Sequence, residues 1–158
     1  MKQYSEPEAL NKAAAYCTLT ERCTAEVNAK LVAWGMASAA RQRIIERLVD
    51  EKFIDERRYC RAFVNDKMRF SHWGRIKISA KLKEKELPAE EIANALAGID
   101  EEEYADILQK ILKSKRREIG KSDDYQTRLK LLRFATSRGF EYPLILKLLK
   151  FDPDEMDF

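Results

Sequence analysis

The stretch Phe53-Ile54-Asp55-Glu56-Arg57-Arg58-Tyr59 recurs 45 residues on as Gly98-Ile99-Asp100-Glu101-Glu102-Glu103-Tyr104. Phe151-Asp152 begins a faint third copy. Met36, Leu87 and Phe140 mark a parallel recurrence, spaced 51 and 53 residues apart. This period constrains the fold more than any other feature. A unit of 45–50 residues is too small to bury its own apolar face, so such units must stack into an array.

The apolar spacing says what the units are made of. Val27/Leu31/Trp34, Ile44/Ile45/Leu48/Val49, Tyr104/Ile107/Leu108/Ile111/Leu112 and Leu144/Ile145/Leu148/Leu149 follow helical i, i+3, i+4 steps, not alternation. Gly35, Gly74, Gly98, Gly120 and Gly139 fall between such runs, and Pro7, Pro88 and Pro143 fall where helices can start. Five glycines and four prolines are too few for the turns of an all-β chain. Helices are predicted near 6–18, 20–34, 38–51, 55–70, 74–86, 88–97, 100–117, 122–138 and 141–150. Ser5 with Glu8 and Asp100 with Glu103 read as capping boxes, and Asp55 as an N-cap. The expected fold class is all-α: three tandem three-helix repeats forming a curved, elongated helical array. The repeats are placed at residues 1–54, 55–99 and 100–151, followed by an acidic tail, 152–158, expected to fray.

The inventory excludes most chemistry. A single histidine, His72, in a predicted loop, rules out sites that need two imidazoles. Cys17, Cys23 and Cys60 have neither disulfide nor zinc-site spacing and read as small buried apolar residues. The glycines are too far apart for a phosphate-cradling loop. Asp55-Glu56 and Asp123-Asp124 sit at predicted helix N-termini, where acids favour the helix dipole, in preference to a metal site. No catalytic residue, metal or cofactor is assigned. The start lacks an apolar signal segment, and no run of 18 apolar residues exists. A cytoplasmic protein with no membrane contact is expected. Because nine helices consume the apolar stripes, a monomer is expected too.

What remains is charge. The chain carries 30 Lys+Arg against 27 Asp+Glu, yet residues 57–86 and 107–138 are each +7. Segregation of this kind points to an anionic partner. In the first segment the candidate contacts are Arg58, Arg61, Arg69, Trp73, Arg75, Lys77, Lys81 and Lys85. Lys77, Lys81 and Lys85, at i, i+4, i+8, form one stripe beside Ile78 and Leu82. Trp73 either stacks a base or packs at an inter-helix corner. In the second segment Lys110, Lys113 and Arg117 form a stripe, joined by Arg128, Lys130 and Arg133 on the next helix.

The ordered motifs resemble the RecX family of RecA-regulating proteins. The resemblance runs from about Leu19 to Leu149. Leu19-Thr20-Glu21-Arg22-Cys23-Thr24-Ala25-Glu26-Val27 is similar to the family's opening, with Thr24 for Ser. Ile45 through Tyr59 is similar to its first junction, with Phe53 read in the glycine position and Glu56 for the second Asp. Gly74-Arg75, Ile78, Leu82 and Lys85 resemble the next element, with Glu86 for Gly, and Arg138-Gly139-Phe140 resembles the turn before the last helix. The resemblance implies three three-helix units and a non-catalytic protein. It implies binding to RecA, in the groove or at the end of its DNA filament, and lower recombinase, ATPase and co-protease activity. The rival expectation is a helical module that binds nucleic acid without RecA.

Overall fold

The structure, a computed structural model, describes residues 3–120 and 125–150. Among these residues it contains nine helices and no strand. They are α1 (Glu6–Leu19), α2 (Thr24–Ala33), α3 (Ser38–Asp50), α4 (Glu56–Arg69), α5 (Arg75–Glu84), α6 (Ala89–Ala97), α7 (Glu101–Ile119), α8 (Tyr125–Ser137) and α9 (Tyr142–Leu149). The all-α helical-repeat class is as expected. The chain resolves into two compact units. One takes the chain up to Ala62 with Leu82–Ala95, and the other takes Phe63–Lys81 with the chain from Leu96 on.

In the first unit α1, α2 and α3 pack on one another around Ala9, Ala13, Val27, Leu31, Ile44, Leu48 and Ile54. α1 starts as predicted. Ser5 Oγ accepts from the Glu8 N–H, and the Glu8 carboxylate accepts from the Ser5 N–H. α2 starts at Thr24, not at residue 20. The reason is local. Thr20 is extended, and Arg22 turns back to give its Nε–H to the Tyr16 carbonyl at the end of α1 (3.2 Å). Cys23 is then the N-cap residue, its N–H held by Glu26 Oε1 at 3.1 Å.

The recurrence of Met36, Leu87 and Phe140 has a physical cause. Each is the third residue past a helix end closed by paired 6→1 and 5→2 hydrogen bonds. The N–H groups of Met36, Leu87 and Phe140 reach the carbonyls of Leu31, Leu82 and Ala135, and those of Gly35, Glu86 and Gly139 reach Val32, Lys83 and Thr136. The residue in the left-handed position is Gly35, Glu86 or Gly139. α3 ends in the same way on Lys52 (φ 64°) and Phe53. The glycine position of that junction therefore belongs to Lys52, and the sequence reading that put Phe53 there is corrected.

In the second unit α7, α8 and α9 pack together around Tyr104, Leu108, Leu131, Ala135, Phe140 and Ile145. Asp55 caps α4 as expected, accepting from the Arg58 N–H at 3.0 Å. Asp100 caps α7, but by accepting from Glu102 (3.2 Å). The predicted box with Glu103 does not form, because Glu103 pairs with Arg69 instead. The start of α8 at 122, the Asp123-Asp124 pair, the Phe151-Asp152 repeat copy and the tail 152–158 lie outside the described residues.

The loop before α5 and the turn between α8 and α9 lie backbone against backbone. The Gly74 N–H donates to the Arg138 carbonyl (2.8 Å), and the Ile76 N–H to the Gly139 carbonyl (3.0 Å). A Cβ on Gly74 would overlap the Gly139 backbone, and one on Gly139 would overlap the backbone of Lys77. Two segments noted separately in the sequence, Gly74-Arg75 and Arg138-Gly139-Phe140, thus meet in space.

Candidate functional site

Of the fourteen candidate contacts, Arg58, Arg61 and Lys85 belong to the first unit and the others to the second. Several are engaged internally. Arg58 Nε lies 2.5 Å from Glu21 Oε1 and the same guanidinium reaches Asp55 at 3.8 Å. Lys85 directly follows α5 and pairs with Glu26 at 3.4 Å. Arg69 pairs with Glu103 at 2.6 Å, an exposed contact.

Arg75 is the most deeply engaged. Its guanidinium bridges Glu141 (2.7 Å) and Glu101 and lies 4.0 Å above the Tyr104 ring. The Arg75 N–H donates to the Tyr104 hydroxyl (3.0 Å), which donates to Glu141. Burial and the Glu141 bond push the Tyr104 phenol far above its ordinary value, so it stays protonated. Arg75 thus ties the start of α5 to α7 and to the start of α9.

Trp73 stands in the loop between α4 and α5. It is half-buried, edge-on to Phe63 (ring centres 6.4 Å apart). The ammonium groups of Lys67 and Lys77 stand 5.0 and 4.5 Å from its ring centre. The exposed aromatic of this loop is Phe70, 79% accessible, with Ile76 at 57%. Leaving a Phe side chain in water forgoes roughly 2 kcal/mol of burial. Sequence reasoning missed Phe70 because it continues the apolar spacing of Tyr59 and Phe63 and reads as core.

Exposed cations lie on α7 and α8. Lys110, Lys113 and Arg117 are exposed at i, i+3, i+7 and have no acidic partner among the described residues. Lys130 and Arg133 are also exposed. Lys113 and Arg128 share a cleft of about 290 Å³ with Arg116 and Lys150, over Leu112, Leu131 and Leu149. Lys110 lines a second cleft, of about 430 Å³, with His72, Lys115, Phe134 and Arg138. Arg61 lines a groove with Arg57 and Glu91, which pair at 3.2 Å. Lys115 and Arg116 lie within the second basic segment and Lys150 outside it, and helical spacing alone does not show that they share a face with the candidate contacts.

Among the described residues no group of three or more His, Cys, Asp or Glu could hold a metal ion. Burial pushes the thiols of Cys23 and Cys60 up to about 11, and that of half-buried Cys17 upward, so all three are weak nucleophiles at neutral pH. No helix among the described residues is long and apolar enough to cross a membrane.

Comparison with known proteins identifies the lineage. Residues 55–96 match the RecX second three-helix domain and residues 101–149 the RecX third three-helix domain. The regulatory protein RecX of Chlorobaculum tepidum is 31% identical over 126 residues, covering 80% of this chain and 76% of that protein. The chain belongs to the RecX family. The regulatory protein RecX of Lactobacillus johnsonii is 27% identical over 143 residues, 90% of this chain. This chain spans about half of that relative's length, 53%. The crystal structure of RecX from Lactobacillus salivarius shares the fold, with a TM-score of 0.80 at 20% identity over 92% of this chain and 94% of that one. The RecX relatives are named as regulatory proteins.

Proposed function

We propose that this protein binds the RecA recombinase on its DNA filament, in the groove or at the growing end, and lowers recombinase, ATPase and co-protease activity during DNA repair and the SOS response. It acts without catalysis, as a cytoplasmic monomer built from three three-helix repeats at residues 1–54, 55–99 and 100–151, and touches DNA through its phosphates. Family membership supports the RecA partner. The observation that carries the contact surface is the α7 stripe. Arg69 and Arg75 are neutralised by Glu103, Glu101 and Glu141, whereas Lys110, Lys113 and Arg117 present three exposed cations on one face. A filament that exposes acidic side chains and phosphate attracts such a face, and the attraction weakens with salt.

The test is the double reversal Lys113→Glu with Arg117→Glu. Both side chains are exposed, so the melting temperature stays where it is. Binding to a pre-formed RecA–DNA filament weakens at least about tenfold at low salt, and the loss shrinks as salt rises. Full retention of filament binding removes the α7 stripe from the contact. Equal wild-type affinity for the filament and for bare DNA favours a nucleic-acid module that works without RecA.

A further inference from the structure

We infer that Phe70 stacks a base of single-stranded DNA whose phosphates lie over the cleft of His72, Lys110, Lys115 and Arg138. The inference rests on the reading that the protein works on a DNA-bearing filament, and it adds which strand contact the protein makes and where. The residue expected to stack, Trp73, has its ring engaged by Phe63, Lys67 and Lys77. Phe70 is 79% exposed three residues earlier, on the same short loop.

That loop is held in place before any ligand arrives. The Phe70 N–H donates to the Asp66 carbonyl (2.9 Å), and the Trp73 N–H to the Lys67 carbonyl (3.0 Å). The Gly74 N–H is fixed by Arg138, and Arg138 Nη1 returns a bond to the Ser71 carbonyl at 3.4 Å. His72 sits in the left-handed region (φ 56°). A rigid loop that presents an exposed aromatic loses little entropy on binding.

The cleft begins two residues further along the chain, at His72. Phe134 lines it, with the Lys115 ammonium 5.1 Å and the Arg138 guanidinium 5.2 Å from its ring centre. Its one acid, Glu118, pairs with Lys115 at 3.6 Å. Lys110 and Arg138 have no acidic partner among the described residues, so the cleft keeps a net positive charge. A cationic cleft that starts two residues along the chain from an exposed aromatic matches the alternation of phosphate and base along an unpaired strand. A duplex hides the faces of its bases, so Phe70 selects the unpaired form.

The experiment measures affinity of the full chain by fluorescence anisotropy for a short oligothymidylate and for an abasic strand of the same length. Phe70→Ala raises the Kd for oligothymidylate by about fivefold or more and leaves the abasic strand unchanged. Phe70→Leu, which keeps an apolar side chain without a ring, shows the same selective loss. Lys110→Ala weakens both strands and lowers the salt slope by about one. Equal affinity of wild type and Phe70→Ala for oligothymidylate overturns the inference, as does an equal loss on both strands. Loss of RecA inhibition in Phe70→Ala with oligothymidylate binding intact also overturns it, and assigns Phe70 to a protein pocket. No oligothymidylate binding by wild type overturns it too, and leaves the RecA reading standing. Base-selective loss in a protein that leaves RecA unaffected supports the stacking site and removes the RecA reading alone.

Discussion

Gly74 and Gly139, 65 residues apart in the chain, have their backbones in direct contact. Neither position has room for a side chain, and the pair sets the start of α5 on the α8–α9 turn. The contact links the loop bearing Phe70 and Trp73 to the helices bearing the second basic segment.

Gly139→Ala meets two penalties at once, a φ of +93° and overlap with Lys77. It destabilises by roughly 2–4 kcal/mol. Gly35→Ala has a similar left-handed φ of +80° but open space around it, and costs only about 1 kcal/mol. Chemical denaturation of both variants checks the difference. Equal losses would remove the close-packing explanation.

Glu86 occupies a left-handed helix-end position that favours glycine. Glu86→Gly stabilises the protein by about 0.5–1 kcal/mol, and Lys52→Gly behaves alike. Thermal melts read the shift, and a lower melting temperature would contradict it.

Arg75→Ala and Arg69→Ala separate an engaged cation from a superficial one. The Arg75 side chain is 20% exposed and bridges two carboxylates, so its loss costs roughly 2–3 kcal/mol. The Arg69 side chain is 52% exposed and its ion pair is screened by water, so its loss shifts the midpoint much less than the loss of Arg75. Denaturation midpoints that place the two together would show that the Arg75 network is not structural.

Glu26 gives the fold a pH dependence. Burial alone would raise its carboxyl pKa, but the Cys23 N–H and thiol, Lys85 and the Tyr59 hydroxyl together hold it below the usual 4.5. A depressed folded-state pKa contributes stability that is full above pH 4.5 and is lost as pH falls through the folded value. The stability gap between wild type and Glu26→Gln is therefore constant near neutrality and shrinks below pH 4.5. A gap that stays the same down to pH 2.5 would contradict the assignment.

The sequence carried the fold well because its signals were local. Helical spacing, the Ser5 and Asp55 caps and the Met36, Leu87 and Phe140 recurrence all depend on neighbours within a turn or two. Errors arose where one residue had competing partners. Arg22 turned back onto Tyr16 and delayed α2, and Glu103 chose Arg69 over its own cap. The candidate surface was legible as charge but not as geometry. Helical spacing could not show that Arg58, Arg75 and Lys85 would meet acids 26 to 66 residues away. Nor could it show that Phe70, apolar and in step with Tyr59 and Phe63, would point into water.

We propose that this RecX-family protein acts on RecA. DNA-dependent ATP hydrolysis by RecA from the same organism, on pre-formed filaments with this protein titrated in, tests the proposal. Loss of hydrolysis at protein levels well below the RecA concentration is the predicted result. Hydrolysis that stays unchanged at every level, or falls only as the protein saturates the DNA, would contradict it.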